Sequence, residues 1–138
     1  LSSGIVAGLH RSGDNTPVWG AEPAMADDAI RSLAAGRLLR NEHEPQTLAD
    51  GARTVSLGQR NWEILKTGLA GIVPVDEDSI CEALMAFHRS GLRVEPTGCL
   101  TLGALLQHGD RFGGHKIVAV ISGGNVDEEL FSSIIDKK

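Results

Sequence analysis

Ser122-Gly123-Gly124-Asn125 is the segment whose residue types best suit contact with a small ligand. It puts a hydroxyl at the end of an apolar run, followed by two residues without Cβ that let a ligand approach the backbone. A tight turn that ends a strand would look the same. Glu22 and Asp28 form a second candidate, separated by a loop in which the Ala26 carbonyl could also point inward. Two carboxylates and a carbonyl suit a hard cation such as Mg²⁺ or Ca²⁺, with waters completing the shell. The simpler account is a helix cap by Asp27 or Asp28 and a solvated Glu22. Glu95-Pro96-Thr97 sets a carboxylate just before a helix start, where capping is again the plain reading. The five histidines (His10, His43, His88, His108, His115) have no metal-ligand spacing to one another or to Cys81 and Cys99, which argues against zinc. No dinucleotide or Walker glycine pattern is present.

These groups need elements to hold them. Ser2 or Ser3 can cap a helix running to about His10 and closed by Gly13. Pro17 to Ala21 reads as a buried strand. Asp27 and Asp28 open a second helix reaching about Leu39, since acidic residues complement a helix N-terminus. The polar stretch 41–56 has no periodicity, and such stretches in compact domains tend to be functional. Gln59 to Leu69 carries Trp62, Leu65 and Leu69 at helical spacing, and Gly71 breaks it into a strand, 72–75. Asp76 caps a fourth helix with Ile80, Leu84, Phe87 and Gly91 along one stripe; capping alone explains Asp76-Glu77-Asp78. Pro96 to His108 is a fifth helix. Lys116 to Ile121 is the clearest strand, apolar on both faces as a covered parallel strand should be. The alternation predicts an α/β fold of three layers, a largely parallel sheet with helices on both faces. Ligands in such folds bind beyond the carboxyl ends of the strands, where Glu22–Asp28 and Ser122–Asn125 fall.

Bulk properties narrow the function. The 138 residues fit one domain, with 41% hydrophobic and 22% charged residues, an ordinary globular balance. A net charge of −5 argues against a general nucleic-acid surface, and no apolar run approaches the roughly 18 residues that span a bilayer. Two cysteines and no signal peptide make a reducing cytoplasm the expected location. Cys81 and Cys99 are expected to be ordinary buried residues.

Five stretches, in order, resemble the fold-type II pyridoxal-phosphate enzymes, and among them the serine/threonine dehydratase and serine racemase group. They are Leu1-Ser2-Ser3-Gly4, Gly20-Ala21-Glu22-Pro23 through Ala26-Asp27-Asp28, Thr47-Leu48-Ala49-Asp50-Gly51, Val94-Glu95-Pro96-Thr97-Gly98, and Ser122-Gly123-Gly124-Asn125-Val126-Asp127. The resemblance implies that Ser122 hydrogen-bonds the pyridine nitrogen of pyridoxal phosphate, with Gly123, Gly51 and Glu95 near the ring and Leu1 near the phosphate. A neutral serine partner makes the ring a milder electron sink, suited to eliminating the β-hydroxyl of L-serine or L-threonine to a 2-oxo acid and ammonia. It also implies a divalent cation held by Glu22, the Ala26 carbonyl and Asp28.

The family's cofactor-bonding lysine lies in a Ser-x-Lys-x-Arg-Gly-like segment, and a run of four glycines cradles the phosphate. Neither pattern is in this sequence, whose lysines are Lys66, Lys116, Lys137 and Lys138. The reading is therefore a cofactor-site portion, residues 1–127 from the C-terminal part of the large domain and 128–138 a tail, of an enzyme acting on a small amino acid. The chain alone is expected to be inactive, and to partner either copies of itself or a missing N-terminal portion. A non-catalytic α/β metal-binding or interaction module is the alternative.

Overall fold

The computed structural model describes residues 1–136. The order of elements is α1 (Ser2–Ser12), β1 (Val18–Pro23), α2 (Asp28–Ala35), α3 (Gln59–Gly68), β2 (Leu69–Val75), α4 (Glu77–Arg89), α5 (Pro96–His108) and α6 (Glu128–Ile135). Short 3-10 turns span Asp50–Ala52 and Gly109–Phe112. No helix among the described residues is long and apolar enough to cross a membrane.

β1 and β2 pair in parallel, Gly20 opposite Ile72 and Glu22 opposite Pro74, with an irregularity between Val18 and Trp19. Side chains alternate across a strand. Ala21, Val73 and Val75 therefore meet the main core, which Ile80, Leu84 and Phe87 of α4 and Cys99, Leu100 and Ala104 of α5 complete. Glu22 points to the opposite face, where it meets the start of α2. The two-stranded parallel sheet thus has helices on both faces, and the fold is α/β as expected.

Several local expectations are corrected. Neither Ser2 nor Ser3 caps α1; Leu1 occupies that position without a side-chain bond. Gly71 does not break α3 but sits inside β2, opposite Trp19, whose ring lies where a Cβ would project. α2 stops at Ala35 because Gly36 turns left-handed (φ 64°), short of Leu39. Gly91 lies beyond α4 with φ 76°, off the helical stripe.

The largest departure is Lys116–Ile121. It forms no strand: no ladder partner stands beside it, and Val118 is 90% exposed. Apolar character on both faces is a sufficient cause for burial only where a neighbouring strand supplies backbone partners. Beyond it, residues 128–135 form a packed helix. Phe131 and Ile134 of α6 are buried in the main core, and the Arg93 guanidinium stacks 4.5 Å from the Phe131 ring centre. Lys137 and Lys138 lie outside the described residues.

Candidate cofactor site

The N-terminus of α5 is the point on which the candidate residues converge. Pro96 occupies its first turn, where the missing N–H costs nothing and the preset φ favours entry. Glu95, at the N-cap, makes no side-chain bond to its own helix. Its carboxylate turns to the 122–125 segment instead. The Asn125 N–H donates to Glu95 Oε2 at 3.1 Å, and the Glu95 N–H donates to the Gly123 carbonyl at 3.2 Å. Gly123 has φ 84°, and a Cβ there would collide with the Glu95 carboxylate. Gly98 in α5 is equally constrained, since its Cβ would run into the Ser122 carbonyl. Thr101 Oγ1 donates to the Val120 carbonyl at 3.1 Å. Ser122 is left half-buried, and its hydroxyl has no hydrogen bond to any described residue.

The Asp50–Ala52 turn closes on the same helix end. The Gly51 N–H donates to Thr97 Oγ1 at 3.0 Å and to Asp50 Oδ1 at 2.8 Å. A Cβ on Gly51 would stand 2.9 Å from Thr97 Oγ1, too close for any other residue without a shift. The turn is anchored from behind by Glu77. Thr47 Oγ1 donates to Glu77 Oε1 at 2.6 Å and the Leu48 N–H to Oε2 at 2.8 Å. Arg53 Nε donates to the Thr47 carbonyl at 2.8 Å. Glu77 is thus more than a capping residue, which corrects the expectation for Asp76-Glu77-Asp78; Asp76 does cap α4, accepting from the Ser79 N–H at 2.7 Å.

The structure therefore brings Gly51, Glu95, Ser122 and Gly123 to one helix end. Leu1 stands apart. It is 72% exposed at the start of α1, and no described contact ties it to that cluster. Thr97, Asp50 and Glu77 stood in the sequence only inside longer stretches, with no site role of their own. Thr97, one residue after a helix-opening proline, carried a readable signal; the Thr47–Glu77 pairing spans 30 residues and carried none.

The second candidate lies across β1. Glu22 Oε1 accepts from the Ala29 N–H at 3.0 Å and Oε2 from the Ile30 N–H at 2.8 Å, so Glu22 caps α2. Asp27 and Asp28 do not, and Glu22 is not solvated. Asp28, 3% exposed, accepts from Asn41 Nδ2 at 3.2 Å and from the Leu57 N–H at 3.0 Å. Burial drives the Glu22 pKa up to about 7 against two lowering amide bonds, with the Asp28 charge adding to the rise. Burial also raises that of Asp28. The carbonyl of buried Ala26 accepts no hydrogen bond from the described residues, because the amides of the first turn are taken by Glu22. Two desolvated carboxylates are donors of the kind a hard divalent cation takes, but here all four of their oxygens accept hydrogen bonds from Ala29, Ile30, Asn41 and Leu57. Among the described residues no three acidic, His or Cys side chains cluster, so the remaining positions would go to water.

A parallel α/β unit with a glycine-lined wall and a free hydroxyl at a helix N-terminus has the features of a small-cofactor domain. The chain belongs to the pyridoxal-phosphate dependent enzyme family, whose model matches residues 1–123. It is 34% identical over 136 residues to an L-threo-3-hydroxyaspartate ammonia-lyase of Pseudomonas sp, covering 98% of this chain and 42% of the relative. It is 36% identical over 138 residues to the serine racemase of Homo sapiens, covering 97% of this chain and 40% of that one. The crystal structure of a T.th. threonine deaminase superposes with a TM-score of 0.82 at 44% identity, over 92% of this chain and 46% of that chain. The chain thus spans about two-fifths of the length of the curated relatives it matches.

Proposed function

We propose that this chain forms one wall of the cofactor site in an enzyme that eliminates the β-hydroxyl of L-serine or L-threonine, or racemises serine. The carrying observation is the convergence of Ser122, Gly123, Glu95 and the Gly51–Thr97 contact on the N-terminus of α5. Pyridoxal phosphate supplies the electron sink for chemistry at the substrate α-carbon. Ser122 offers its unbonded hydroxyl to the pyridine nitrogen, a neutral partner that leaves the nitrogen without a counter-charge. Gly51 and Gly123 would keep the wall free of side chains beside the cofactor. Glu95 holds Gly123 and Asn125 in place, and so fixes where the Ser122 hydroxyl points.

Glu22, the Ala26 carbonyl and Asp28 hold Mg²⁺ or Ca²⁺ in this reading. Its positive charge would offset the cost of two buried carboxylates and clamp β1 to the start of α2. The role is structural, since Glu22 and Ser122 lie on different elements with no described contact.

The test compares two proteins: this chain, and the product of the whole open reading frame containing it. With pyridoxal phosphate and L-serine or L-threonine, the longer product is expected to release a 2-oxo acid and ammonia, or D-serine, and the chain alone none. Turnover by the isolated chain would overturn the assignment of a wall only. No reaction from the longer product on either substrate would overturn the substrate class.

A further inference from the structure

Asp76 supplies the N-cap of α4, so the carboxylate of Glu77, the next residue, is not needed by its own helix. Both of its oxygens reach across the fold instead, to the Thr47 hydroxyl and the Leu48 N–H. A carboxylate only accepts, and it therefore sets the direction of the Thr47 hydroxyl. The proton goes to Glu77, and a lone pair is left for the Ala49 N–H at 3.2 Å. Thr47 and Ala49 are buried, where water is not at hand to replace a lost partner.

From Leu48 onward the chain closes on itself. The Asp50 N–H bonds the Leu48 carbonyl, that of Ala52 the Ala49 carbonyl, and that of Arg53 the Asp50 carbonyl. The Arg53 side chain returns to the Thr47 carbonyl. A segment tied in this way moves as one piece. Glu77 holds one end of it, and Thr97 takes the Gly51 N–H in its middle. Gly51 tolerates little displacement toward α5, since it already stands too close to Thr97 to carry a Cβ.

We infer that Glu77 is a positioning residue for pyridoxal phosphate, acting through Thr47 to set the Gly51 side of the wall. This role rests on the cofactor reading given above. Glu77 makes no described hydrogen bond to Gly51 or to α5, so its effect travels along the 47–51 backbone. An acid that only secured α4 would act on stability and leave the affinity of the cofactor alone.

The test uses the product of the whole open reading frame. It reads the dissociation constant of pyridoxal phosphate from the cofactor's absorbance, beside a thermal melt of each cofactor-free variant. Glu77→Gln turns its amide oxygen to Leu48 and its N–H₂ to Thr47, leaving the Thr47 proton without an acceptor. Thr47→Val removes the same link with little change of shape, and Thr47→Ser keeps it. Glu77→Gln and Thr47→Val are each expected to weaken cofactor binding about tenfold, the scale of one unmade buried hydrogen bond. The double variant should bind no more weakly than either alone, because the two residues share one link. Thr47→Ser should stay within about twofold of the unsubstituted protein, the error of such comparisons. Asp76→Ala uncaps α4 and should lower the melting temperature with no change in the constant.

Unchanged cofactor affinity in Glu77→Gln would overturn the role. So would an equal loss of affinity in Asp76→Ala, since the effect would then be one of stability. If Glu77→Gln does not fold, Thr47→Val against Thr47→Ser decides between the same outcomes. An unsubstituted protein that binds no pyridoxal phosphate would overturn the cofactor reading itself, and this role with it.

Discussion

Glu95 and Gly123 clasp each other in both directions. The Glu95 amide bonds the Gly123 carbonyl, while the Glu95 carboxylate fills the space a Cβ at position 123 would need. Gly123→Ala therefore meets two obstacles, a left-handed φ and a collision with a carboxylate. A loss of about 1–3 kcal/mol is expected, read from the urea midpoint. Faster hydrogen exchange at Asn125, whose amide Glu95 holds, should accompany it.

Glu77 joins the Thr47–Leu48 backbone to the first turn of α4. Glu77→Gln keeps the size but leaves one partner facing an amide N–H₂ in place of an acceptor. About 1–3 kcal/mol is expected to be lost. Exchange should quicken at Leu48 and Gly51 and stay unchanged in α3. Equal acceleration everywhere would mean that Glu77 holds the whole fold and not this turn.

Phe131 of α6 is 4% exposed, edge-on to His88 and under the Arg93 guanidinium. Arg93 also pairs with Glu128 at 2.5 Å. Phe131→Ala is expected to cost about 3–5 kcal/mol, the range for a buried ring. A change within about 0.5 kcal/mol, the scale of surface substitutions, would show α6 to be dispensable.

Glu22 sets a pH dependence. Its folded pKa of about 7 lies above the ordinary carboxylate value of 4.5, because burial disfavours its charge. The folded state binds the extra proton between those two values, so stability from this group is full below about pH 4.5 and falls as the pH rises to 7. The loss is about 3 kcal/mol at most, and Asp28 shifts in the same direction. Thermal melts of metal-free protein should show this decline. Mg²⁺ or Ca²⁺ should restore more stability at about pH 8 than at about pH 5.5, with proton release on binding at the lower pH. Glu22→Gln should flatten the pH dependence and abolish the metal effect together.

Much of the helical framework was legible because its signals are local. Pro96 preset the start of α5, Asp76 capped α4, and Gly13 closed α1 with φ 73°. The failures needed distant information. Apolar residues at 116–121 announce a strand, but whether a strand forms depends on a neighbour that the local sequence does not contain. Asp27 and Asp28 looked like the caps of α2, and the actual cap is Glu22, which the parallel register carries to the first turn. Within the cofactor wall, Ser122, Gly123, Glu95 and Gly51 could be singled out by residue type and resemblance. The Asp50–Thr97 and Thr47–Glu77 contacts could not, because 47 and 30 residues separate the partners.

Both halves of the wall hang from one end of α5, the Asp50–Ala52 turn through Thr97 and the 122–125 segment through Glu95 and Gly98. Glu77 anchors the Asp50–Ala52 turn from behind, while at the helix end each half is held by the first turn of α5. The wall should consequently come apart as a single cooperative unit, its two halves loosening at one common temperature when the first turn of α5 unwinds.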